Sequence, residues 1–126
     1  MDDGAERARE RPAFDGTPGQ RRVTLAEVEH WPVPPGNLAA PALAHGTLMV
    51  EYYAPRGIDR QQPHTRDELY VIAAGSGWFV NGDERHPFGV GDMLFVPAGV
   101  VHRFEDFTDD FATWVIFYAP EGGERR

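Results

Sequence analysis

The chain has 126 residues, the size of one ordinary domain, with 20 acidic against 12 basic residues and a net charge of −8. That balance argues against nucleic acid or an anionic membrane as a partner. Cysteine is absent, which excludes disulfides, thiolate metal ligands and cysteine nucleophiles; no apolar run approaches a membrane span and the N-terminus shows no apolar signal core, so a soluble, cytoplasmic protein is expected.

From Met1 to about Arg22 the chain is polar, charged and almost without large apolar residues. Such a stretch cannot bury enough apolar surface to offset its ordering entropy, and residues 1–22 are expected to form a disordered or loosely docked tail. A folded domain is expected over residues 23–120. Frequent glycine and proline, with a high aromatic share, favour many short strands joined by tight turns.

Val23 to Glu29 reads as a short strand or a single helical turn, stopped by Trp31-Pro32-Val33-Pro34-Pro35-Gly36. Asn37 to Ala44 shows no strong periodicity. Gly46 to Ala54 predicts a strand, with Leu48, Val50 and Tyr52 on one face and Met49, Glu51 and Tyr53 on the other. Pro55 to Pro63 is a polar loop. Glu68 to Ala74 is rich in strand formers. Gly77 to Val80 and Glu84 to Pro87 predict a hairpin around Asn81-Gly82-Asp83. Asp92 to Val96 and Val101 to Phe104 follow as strands parted by Pro97-Ala98-Gly99, and Ala112 to Tyr118 is the last. Strands this short, with a turn every few residues, predict an all-β, antiparallel sandwich or barrel.

Two histidines and a glutamate stand where a metal site would need them. His64 ends a loop, Glu68 begins the next strand, and His102 opens another after a Pro-x-Gly turn. In a barrel, inward positions on neighbouring strands converge. Two neutral imidazoles and one carboxylate on one side of an ion leave positions open for water or substrate, a set suited to one divalent Fe, Mn, Zn or Ni ion. By alternation Tyr70 and Ile72 share the inward face with Glu68, and Phe104 shares that of His102. Tyr70 and Phe104 are therefore candidate substrate-binding residues. Of the other aromatics, Trp78, Trp114 and Phe117 are expected mostly in the core. His45 is expected at the surface or the pocket rim, His86 exposed, His30 serving the end of its strand beside Trp31-Pro32, and Arg103 facing out. Arg66 is read as a solvated loop charge or a group at the barrel mouth. Asp106 is read as a turn cap or a hydrogen-bond partner of a ligand.

On these residues the chain resembles the cupin superfamily. The first cupin motif, G-x5-H-x-H-x3,4-E-x6-G, is met by Gln62-x-His64-x3-Glu68-x6-Gly75, with Gln62 in place of the first histidine and Arg56 where the opening glycine belongs. The second, G-x5-P-x-G-x2-H-x3-N, is met by Gly91, Pro97, Gly99 and His102, with Asp106 for the asparagine. The resemblance spans Gly46 to Tyr118 and implies a double-stranded β-helix, or jelly roll. It implies a fourth ligand at Gln62, which binds the metal, binds a water on it, or points away. It also implies pairing as a homodimer, for which Val23 to Pro34 is the expected contact segment. The implied reaction classes on a small organic molecule are dioxygenase, isomerase or epimerase, and decarboxylase; a non-catalytic binding or sensing module is the alternative.

Overall fold

The computed structural model describes residues 21–125. The expected tail lies outside the described residues except for Arg21 and Arg22, which are exposed. Val23 to Glu29 resolves as one helical turn, α1 (Leu25–Val28). Thr24 caps it: its hydroxyl accepts from the Glu27 amide at 3.2 Å and donates to the Glu27 carboxylate at 2.9 Å.

Eight strands follow: β1 (Ala40–His45), β2 (Leu48–Tyr53), β3 (Asp67–Ala74), β4 (Gly77–Asn81), β5 (Glu84–Phe88), β6 (Met93–Val96), β7 (His102–Glu105) and β8 (Ala112–Tyr118). They form a five-stranded sheet, in the order β1-β2-β8-β3-β6, and a three-stranded sheet, β5-β4-β7, with every pairing antiparallel. This is the jelly-roll architecture expected. Strand β1 is a departure, because its segment carries no clean alternation. The cause is a bulge between Pro41 and Leu43, where the pairing with β2 shifts by one residue. Proline is tolerated there because β1 is an edge strand.

The core is aromatic. Tyr70, Phe79, Phe104 and Phe111 are fully or almost fully buried. Phe104 touches Phe79 and Phe111 at ring-centroid distances of 4.7 and 4.6 Å, close enough for ring–ring attraction beyond simple area burial. Trp78 corrects an expectation: it alternates with the buried Phe79, faces out at 38% exposure, and is covered by the Arg85 guanidinium 4.6 Å above its ring. Gly75 ends β3 in the left-handed region, at φ +81°, and an added Cβ would lie 2.7 Å from the Phe111 Cα. Only glycine serves both demands. Among the described residues no helix is long and apolar enough to cross a membrane.

Candidate metal centre

The inward face of β3 reads Glu68, Tyr70, Ile72, all buried. A carboxylate thus opens a strand whose following inward positions feed the aromatic core. His102 opens β7 on the facing sheet. The two are brought together by the Pro97–Val100 turn. Gly99 adopts φ +83°, and its amide donates to the His64 carbonyl at 2.7 Å. The Ala98 amide donates to Asp67 Oδ1 at 2.9 Å. One turn is therefore bonded to the backbone of the first histidine and to the residue preceding the glutamate, and it then delivers the second histidine.

His64, Glu68 and His102 can each offer one ligand atom, and these lie within 4.8 Å of one another. Glu68 Oε1 stands 3.3 Å from His102 Nε2, and Oε2 stands 3.7 Å from His64 Nε2. Atoms that share one ion at bond lengths of ~2.1 Å stand roughly 3 Å apart, close to these separations. Glu68 and His102 have fully buried side chains, while His64 is 31% exposed and marks the mouth.

The proton inventory decides what this cluster wants. His102 Nδ1 lies 2.9 Å from the Val100 carbonyl oxygen, which can only accept, so Nδ1 carries the hydrogen. In the neutral ring Nε2 is then bare, and its lone pair faces a carboxylate. Nε2 and both Glu68 oxygens are buried without a hydrogen-bond partner among the described residues. Burial pushes the Glu68 carboxyl up to about 8, with the nearby Tyr70 hydroxyl opposing and the Glu51 and Asp59 charges adding to the rise. His64 is pushed down by burial and by His102, and raised somewhat by Asp59, which favours the neutral, ligating imidazole. Buried acceptors facing one another are costly unless a proton or a cation lies between them. The donor set fits a divalent transition metal.

Gln62 does not join this group. Its side chain is exposed, and the glutamine that faces the site is its neighbour Gln61. Gln61 Oε1 lies 3.3 Å from His64 Nε2 and accepts the Tyr70 hydroxyl at 2.9 Å. The loop from Tyr53 to His64 has no strand alternation, so spacing alone gives no guide to which glutamine turns inward. Tyr70 and Phe104 take the inward positions expected of them but are too deeply buried to touch a ligand from solvent.

A cleft of about 230 Å³ opens beside His64 instead, lined by Leu38, Ala39, Glu51, Tyr53, Gln61, Val115 and Phe117 among others. Its walls are mixed, and Glu51 is a carboxyl whose pKa burial raises. Sequence reading places Glu51 on the face shared with Met49 and Tyr53; the structure shows that this face is the inner one. His30, His45 and His86 are exposed, as is Arg103. Arg66 donates to the Ala119 carbonyl at 3.0 Å, and Asp106 forms an exposed ion pair with Arg85 at 3.1 Å, so neither reaches the ligands.

Comparison with known proteins agrees with this fold. The chain is 36% identical to an uncharacterised protein of Streptomyces coelicolor over 63 residues, which is 50% of this chain and 60% of that one. It is 29% identical to the HTH-type transcriptional activator RhaR of Mannheimia succiniciproducens over 87 residues, 63% of this chain and 31% of that one. The chain thus spans less than two thirds of the length of these curated relatives. Among solved structures, a Rhizobium leguminosarum protein of unknown function superposes with a TM-score of 0.64 at 19% identity, covering 79% of this chain and 97% of that one. An RmlC-like cupin with a double-stranded β-helix from Methanocaldococcus jannaschii gives a TM-score of 0.55 at 16% identity, covering 67% and 80%. At such identities the likeness is one of fold. The cupin domain model matches residues 49–118, more than half of the chain, from within β2 to the end of β8. The chain belongs to the cupin family.

Proposed function

We propose that this cupin holds one divalent transition-metal ion through His64, Glu68 and His102, and acts on a small organic molecule bound in the adjoining cleft. The reaction classes in view are dioxygenase, isomerase or epimerase, and decarboxylase. The observation that carries the reading is the buried, unpartnered pairing of Glu68 with a His102 whose tautomer is fixed by Val100. When bound, the metal would supply Lewis acidity at oxygens of the ligand. His64, the exposed ligand, brings that centre to the cleft. Leu38, Val115 and Phe117 supply apolar contact, and Glu51 is placed to hold or take a proton from the bound molecule. Untagged protein is expected to carry close to one equivalent of Fe, Mn, Zn or Ni by elemental analysis, natively or after reconstitution. A wild-type protein that takes up none under either condition contradicts the reading.

The likeness to RhaR favours a second reading, a non-catalytic module that senses a small ligand. Turnover of a molecule that binds the loaded protein separates the two.

The reading includes a homodimer. Segment 23–34 is partly committed to its own chain, since Val28 is fully buried. The outer face of the larger sheet nevertheless presents Leu43, Val50, Val71, Trp114 and Ile116 together with Val23. A second copy covering this face would shield apolar surface and the nearby β1 edge. Sedimentation at micromolar concentration is expected to give twice the chain mass; a monomer mass rules the pairing out.

A further inference from the structure

We infer that Asp59 acts as a positioning residue that locks the side-chain amide of Gln61, so that Gln61 Oε1 becomes a fourth, oxygen donor at the metal centre. The inference rests on the metal reading above and adds to it a residue pair absent from either cupin motif.

Asp59 accepts four hydrogen bonds. Its Oδ1 receives the Tyr53 hydroxyl at 2.5 Å and the Gln61 amide N–H at 3.0 Å. Its Oδ2 receives the Phe104 amide at 2.8 Å and Gln61 Nε2 at 3.1 Å. The Phe104 bond anchors Asp59 to β7, two residues beyond His102. The Tyr53 bond anchors it to the end of β2. Asp59 is therefore fixed to both sheets before Gln61 is considered.

A carboxylate offers acceptors, and of the two ends of a Gln amide only the NH₂ end donates. Asp59 thus selects one of the two amide orientations, the one with Oε1 turned to the cluster. The Tyr70 hydroxyl enforces the same choice. It donates to Oε1 at 2.9 Å. One lone pair of Oε1 takes that proton, while the other faces His64 Nε2, 3.3 Å away. In the His64 tautomer that leaves Nε2 bare, Gln61 and His64 present two lone pairs to one place, as Glu68 and His102 do beside them.

The resulting set is two imidazoles, one carboxylate and one amide oxygen. The family motif, with three histidines and a glutamate, is richer in nitrogen. Replacing an imidazole by a neutral oxygen lowers affinity for the nitrogen-preferring ions Ni and Zn relative to Mn.

The test is titration of Mn(II) and Zn(II) into wild type, Gln61→Leu, Asp59→Asn and the double variant, with circular dichroism to verify the fold. Gln61→Leu is expected to weaken Mn(II) binding by at least 10-fold. Asp59→Asn, which leaves one side-chain oxygen for donors that had two and so loosens the hold on Gln61 Nε2, is expected to weaken it by about 10–100-fold, the usual range for partners of metal ligands. The double variant should match Gln61→Leu within about twofold, because Asp59 acts only through Gln61. Gln61→His should raise the Zn(II) to Mn(II) affinity ratio by at least 10-fold, which a merely structural role for this residue would not do. If Gln61→Leu binds Mn(II) as wild type does, the fourth donor is refuted while the three-ligand site stands. If the two losses multiply in the double variant, positioning through Gln61 is refuted. If Asp59→Asn does not fold, Gln61→Leu and Gln61→His decide the donor. Should wild type bind neither ion, the metal reading itself falls, and this inference with it.

Discussion

Substituting Glu68→Gln is expected to abolish metal binding and, in the metal-free protein, to raise stability above neutral pH. Both effects come from one buried side chain. With the folded carboxyl near 8 against an ordinary value of 4.5, the folded chain keeps a proton that the unfolded chain releases. Between those two values the unfolded state binds fewer protons, so the stability of metal-free wild type falls as pH rises, and the full cost is reached above pH 8. Glutamine keeps the shape and does not titrate, so that slope vanishes. A shift of this size is worth roughly 2–4 kcal/mol once some relaxation is allowed. Urea unfolding at pH 5 and at pH 8.5, with chelator present, reads the difference directly. A bound cation stabilises the ionised carboxylate, so loaded wild type should lack the slope. Parallel pH profiles for metal-free wild type and Glu68→Gln would show that the carboxyl is not strained by burial.

His102→Ala is expected to lower metal affinity by more than about 100-fold, beyond the usual loss for a residue that only supports a ligand. Its far-ultraviolet circular dichroism should stay that of a β protein. The fold persists because the Pro97–Val100 turn is tied to His64 and Asp67 by its own amides, not by the imidazole. His64→Ala should lose affinity in the same direction, from a more exposed position. His86→Ala, in an exposed hairpin strand, serves as the control and should bind as wild type. Elemental analysis and metal titration on the set check it together. Full metal occupancy in both His102→Ala and His64→Ala contradicts the site.

The strands with clean alternation were legible in the sequence, and in β3 and β7 so was the inward side. Glu68, Tyr70 and Ile72 follow from a period of two, and the Pro-x-Gly turn before His102 follows from its residue types. What stayed hidden depends on contacts between distant segments. The inward turn of Gln61 rather than Gln62 is set by Asp59, which is itself placed by the Phe104 amide 45 residues along the chain. No local pattern encodes that. Strand β1 was hidden for a different reason, since a bulge interrupts the period by which strands are recognised. Glu51 was legible as one face of β2 but not as the inner face, because both faces carry apolar and aromatic residues.

Asp67 gives the C-terminal residues a part in the site. Besides the Ala98 amide, its carboxylate takes the Glu124 amide at 2.8 Å, while the Gly122 amide bonds the Thr65 carbonyl at 2.6 Å. The Glu124 and Ala98 amides hold the Asp67 carboxyl below the usual carboxylate range. The last turn of the chain is thereby buttoned to the residues on either side of Arg66, between the first histidine and the glutamate. Losing the Asp67 carboxylate would release this turn and the Pro97–Val100 turn together. Residues 122–124 thus share one anchor with the candidate metal centre.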